Sequence, residues 1–80
     1  MTPKQFGLHP RTILEQVGEH TIALVINRKS RIIMTDGRKI AEKAQKIKTV
    51  KPEITVVLKT TAPICSKTKT FLEDAGIQVL

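Results

Sequence analysis

Glu53-Ile54-Thr55-Val56-Val57-Leu58-Lys59-Thr60 is the least ambiguous stretch of this chain. Its β-branched residues mark a strand, and the segment on its C-terminal side decides the fold. A turn at Thr61-Ala62-Pro63-Ile64 leads into a helix capped by Cys65 or Ser66, with Phe71, Leu72 and Ala75 as its buried stripe. Gly76 stands where a helix commonly ends, and Ile77-Gln78-Val79-Leu80 is a last short strand. A strand, a helix and a second strand in succession predict parallel neighbours joined by a right-handed crossover.

Upstream, Ile40, Ala44 and Ile47 recur at helical spacing and mark the buried face of an earlier helix. Lys39, Lys43 and Lys46 repeat that spacing on another face. Asp36 is placed to cap this helix, Glu42 to pair with Lys46, and Pro52 to break it. Thr21-Ile22-Ala23-Leu24-Val25-Ile26 is an apolar run of strand length without strict alternation, so burial on both faces is expected. Asn27-Arg28-Lys29-Ser30 reads as a turn, and Arg31-Ile32-Ile33-Met34-Thr35 as the returning strand of an antiparallel hairpin. Pro10 suits the first position of a short helix, in which Ile13, Leu14 and Val17 share a face and Gly18 ends the element. Residues 1–8 are a loose lead-in, and residues 9–80 form a single α/β domain. The predicted order is α-β-β-α-β-α-β: a mixed four-stranded sheet with an antiparallel hairpin, two right-handed parallel crossovers and helices packed on it.

The chain has 80 residues and a formal charge of +7. Between Arg28 and Lys51 stand nine basic residues and two acids, Asp36 and Glu42; the other basic and acidic residues cancel. One segment therefore carries the whole excess, which points to an anionic partner. Arg28, Lys29 and Arg31 cluster at the expected hairpin tip, and Arg38, Lys39, Lys43 and Lys46 lie on the following helix. Together they form the candidate surface for DNA or RNA phosphates, acting by backbone contact and not by base reading. A solvated helix face that keeps a small protein soluble is the plainer account of the same residues. A protein partner, or a homodimer through an open sheet edge near Leu80, is the competing expectation.

With no Trp or Tyr, and only Phe6 and Phe71 as aromatic residues, base stacking is not an expected mode of binding. Cys65 is the only cysteine, which excludes an intrachain disulfide and any multi-thiolate zinc site. The longest apolar run, Ile22 to Ile26, is too short to cross a bilayer, and the N-terminus has no apolar signal region. A soluble cytoplasmic protein without a membrane partner, metal or cofactor is expected.

The segment from Thr60 to Thr70 offers a second candidate site. A turn feeding a helix N-terminus presents unpaired N–H groups to an anion, with Thr61, Ser66, Lys67 and Thr68 supplying hydroxyls and charge. The spacing mimics a phosphate-binding P-loop, but both glycines are missing and Pro63 removes one N–H. Ala62-Pro63-Ile64-Cys65, with Lys67, Leu72 and Gly76 behind it, locally resembles the opening strand, active-site turn and helix of glutaredoxins over Ile54 to Ile77. That family carries two cysteines around a Pro-aromatic pair. Ala62 stands at the position of the family's nucleophile, so dithiol exchange is excluded. Cys65 remains a candidate reactive thiol, activated by the helix N-terminus, or else a small half-buried capping residue.

Other catalytic groupings fail. His9 and His20 are not at metal-ligand spacing, and Asp36 and Glu53 are the only acids at strand ends, with Thr55 where a nuclease-type lysine would stand. A non-enzymatic binding module is the resulting expectation.

Overall fold

The computed structural model describes residues 3–80 and shows a mixed four-stranded sheet with two helices. The elements are β1 (Ile13–Gly18), β2 (Thr21–Ile26), α1 (Met34–Val50), β3 (Thr55–Thr60), α2 (Ser66–Asp74) and β4 (Gln78–Val79), preceded by a 3-10 turn at Pro3–Phe6. The strands lie in the order β1-β2-β3-β4. β1 and β2 are antiparallel, whereas β2–β3 and β3–β4 are parallel and are each joined through a helix. The expected α/β class, mixed sheet, hairpin and two parallel connections are all present.

The members of the hairpin differ from the expected ones. Residues 13–18 form a strand and not a helix. Pro10 sits at the second position of a turn closed by Thr12 N–H donating to the His9 carbonyl at 2.9 Å. The fixed φ of proline suits that position as well as it suits a helix start, so the local signal was degenerate. β1 then pairs with β2 across the two-residue loop Glu19-His20, with a bulge between Gln16 and Gly18. Pairing against the strongest apolar run of the chain outweighs a weak helical pattern.

Residues 31–35 form no returning strand. Ile32 makes a single parallel bridge to Ile64, donates to the Pro63 carbonyl at 2.8 Å and accepts from Cys65 N–H at 3.1 Å. Helix α1 has already begun at Met34, and Asp36 lies in its first turn, where its carboxylate accepts from the Ile33 N–H at 3.1 Å. The carboxylate thus serves the helix start from inside the first turn and not from the cap position. Residues 3–8 of the expected lead-in contribute Phe6 and Leu8 to the core; residues 1–2 lie outside the described residues.

Registry places Ile22 opposite Val56 and Leu24 opposite both Leu14 and Leu58. These side chains share one face of the sheet and join Ile40, Ala44, Ile47, Leu72 and Ile77 in a single core. Both helices therefore cover the same face. They approach closely at Gly37, where a Cβ would stand 2.7 Å from the Thr68 methyl. On the opposite face Glu15 and Lys59 form an ion pair at 2.9 Å, running diagonally across β2 from the Ala23 row to the Val25 row.

Gly76 closes α2 at φ 82°. Its N–H donates to the Glu73 carbonyl at 3.0 Å, and Ile77 N–H donates to the Leu72 carbonyl at 2.9 Å, the paired bonds of a Schellman ending. Gly76→Ala keeps the space but forces a side chain into the left-handed region, so a loss of about 1–2 kcal/mol is expected. Urea unfolding measures it, and an unchanged midpoint would contradict the strained geometry.

Candidate nucleic-acid interface

Helix α1 runs for 17 residues, long enough to place charges along a straight rod. Its buried stripe, Gly37, Ile40, Ala44 and Ile47, fixes the rotation of every other side chain. At about 100° per residue, Asp36, Lys39, Lys43 and Lys46 then fall on one flank. Lys43 lines a small groove of about 150 Å³ together with Arg11, Ile13, Leu24 and Ile40. Arg11 comes from the turn before β1. No sequence signal marked it, because only the pairing of β1 with β2 brings it into a groove with Lys43.

The other basic residues sort by what they touch. Arg28 is committed within the chain: its Nη2 donates to Asp36 Oδ2 at 2.6 Å and to the Arg31 carbonyl at 3.2 Å, and its Nε donates to the Ser30 carbonyl at 3.2 Å. This is a change from its expected role as a free phosphate contact. The arginine instead ties the β2–α1 loop to the flank that carries the lysines. The Asp36 carboxyl is held below the usual carboxylate range, first by that Arg28 bond and then by the Ile33 N–H.

Lys29 and Arg31 are exposed on the same loop. Arg38 is exposed on α1 but about 100° around the axis from Lys39, off the lysine flank. Lys48 turns toward the other helix, with its Nζ beside Gly76, where a cation suits the carbonyl end of α2. The expected Glu42–Lys46 pair does not form. Arg28–Asp36 and Lys59–Glu15 are the two ion pairs among the described residues. Lys39, Lys43 and Lys46 thus have no ion-pair partner there, and the sheet face opposite the helices is neutral where Glu15 meets Lys59.

The second candidate site is only partly assembled. Thr68 is wholly buried and its Oγ1 donates to Cys65 Sγ at 3.5 Å, so the hydroxyl expected for an anion is committed elsewhere. Thr61, Ser66 and Lys67 are exposed. Cys65 occupies the cap position of α2 and is half-buried. The Thr68 hydroxyl bond lowers its thiol pKa, helped by the Thr68 and Lys67 N–H groups and the Arg31 charge, against a smaller opposing effect of burial. The alkylation rate of Cys65 is therefore expected to rise with pH at a lower midpoint than that of a free cysteine. Thr68→Val should move the midpoint back up, and a profile unaltered by that substitution would remove the hydroxyl as the cause.

The strand, turn and helix that carried the glutaredoxin resemblance are β3, the loop after it and α2. Here β3 is an interior strand that comes after a complete hairpin and helix, not an opening one. A cleft of about 420 Å³ lies at the other end of the sheet between Glu19, His20, Lys51 and Glu53, and its two acids make it a poor seat for a polyanion. No helix among the described residues is long and apolar enough to cross a membrane. No family model, curated protein or solved structure matches the chain.

Proposed function

We propose that this chain is a non-catalytic nucleic-acid-binding module that grips phosphates with the Lys39–Lys43–Lys46 flank of α1. The supporting observation is that these three lysines share one side of a rigid helix and have no carboxylate partner among the described residues. Arg11, which lines a groove with Lys43, extends the same positive surface, whereas the Arg31 charge lies near Cys65 at the start of α2. Each phosphate neutralised releases condensed counterions, so affinity falls steeply as salt rises. Contacts of this kind position a nucleic acid without reading its sequence. Fluorescence anisotropy of a labelled oligonucleotide, titrated from low to moderate salt, tests the proposal. Binding absent at low salt, or insensitive to salt, would reject it.

A protein partner is the second reading, and it is favoured by a different observation. β1 is an edge strand whose Ile13 and Val17 are 56% and 43% exposed, and an open edge can accept another strand. Light scattering after size exclusion separates the two. A tight dimer without affinity for nucleic acid would favour association through β1.

A further inference from the structure

We infer that the partner is double-helical nucleic acid and not a single strand; the inference rests on the phosphate-binding reading above. Proteins hold single strands by two means, base stacking on aromatic faces and charge. Stacking supplies about five- to 150-fold in affinity per base. The lysine-bearing helix carries no aromatic residue to supply it. The chain has no Trp or Tyr. Phe6 is 3% exposed, inside the core. Phe71 is partly buried against the core, its ring 3.6 Å from where a Cβ on Gly37 would stand.

Charge is what remains, and charge selects the denser polymer. Duplex DNA carries one negative charge per about 1.7 Å of axis, and each phosphate contact is worth a salt exponent of about 0.9, against about 0.7 on a single strand. The helix also fixes the spacing of the lysine stems along its axis. Lys39 to Lys46 spans about 10 Å of helix axis, with Arg11 lining a groove with Lys43. A stiff duplex presents phosphates at fixed intervals to such an array. A flexible strand must first be ordered to match it, and that ordering opposes binding.

Anisotropy titrations of the full chain with a single strand of roughly 20 nucleotides, its DNA duplex and the RNA duplex of the same sequence decide the matter. At 50 mM salt both duplexes are expected to bind about ten-fold or more tightly than the single strand. A preference for either duplex form over the single strand supports the inference. A variant with Lys39, Lys43 and Lys46 all changed to alanine should lose that preference. A single strand bound as tightly as the duplexes, or more tightly, overturns the inference while leaving phosphate binding in place. No binding of any of the three overturns the proposed function itself.

Discussion

Replacing Lys39, Lys43 and Lys46 together with alanine is expected to weaken duplex binding about a thousand-fold at 50 mM salt. Each phosphate contact contributes about 0.9 to the slope of log affinity against log salt. Losing three contacts flattens that slope by about 2.7 and, between 1 M and 50 mM salt, removes roughly three powers of ten. The fold should survive, because Lys39 and Lys46 are exposed and alanine is the better helix former. An unchanged thermal midpoint checks this. Arg38→Ala supplies the control. It removes one positive charge from the same helix, about 100° around the axis from Lys39, and should cost less than about three-fold, where each lysine alone costs about ten-fold. Equal losses from Arg38 and Lys43 would mean a diffuse field and not a contact face. The flank assignment would then be wrong even though the protein binds.

Leu58→Ala is expected to cost about 2–5 kcal/mol. An 80-residue domain has roughly 4–12 kcal/mol in all at about 0.05–0.15 kcal/mol per residue, so the loss approaches the whole margin. Leu58 lies mid-strand in β3, between Leu24 of β2 and Val79 of β4. It is wholly buried in the cluster that includes Ile40, Ile47 and Leu72, so its removal leaves a cavity that the helices above cannot collapse to fill. The adjacent Val57→Ala makes the comparison informative. Val57 is also buried, but it points to the opposite face and is absent from that cluster. Truncation of its smaller side chain removes fewer carbons, and about half the cost of Leu58→Ala is expected. Urea midpoints at constant slope measure both. A Val57 variant less stable than the Leu58 variant would contradict a sheet with both helices on the Leu58 face.

The parts legible in the sequence were those whose signals were long or unambiguous. Helix α1 announced itself through Ile40, Ala44 and Ile47, and Pro52 stands just beyond its end. β2 and β3 were apolar runs bounded by turn residues, and Gly76 marked the close of α2 because only glycine takes that backbone at little cost. The failures came where a short segment fitted two structures. Ile13, Leu14 and Val17 lie on one face of a helix, but Ile13-Leu14-Glu15-Gln16-Val17 also reads as an edge strand, and Pro10 served either choice. Ile32-Ile33-Met34 could close a hairpin or open a helix. The hairpin was excluded by the strand at residues 13–18, which already occupied that edge of β2.

The candidate site divides in the same way. The lysine flank was legible because helical periodicity is a local property. The commitment of Arg28 to Asp36 was not, because it joins residues eight apart through a loop whose course depends on Ile32 docking against Ile64. Arg11 was invisible for the same reason: it shares a groove with Lys43 only once β1 has paired.

By itself the sequence determined the α/β class, the excess of positive charge and its regular spacing on one helix, because composition and short-range periodicity are written residue by residue. Tertiary structure alone decided which strand pairs with β2, which sheet face stays free of helices, which cations are paired internally and which have no ion-pair partner among the described residues. Those outcomes turn on contacts between residues distant in the chain, where burial of the shared core outweighs the preferences of any single segment.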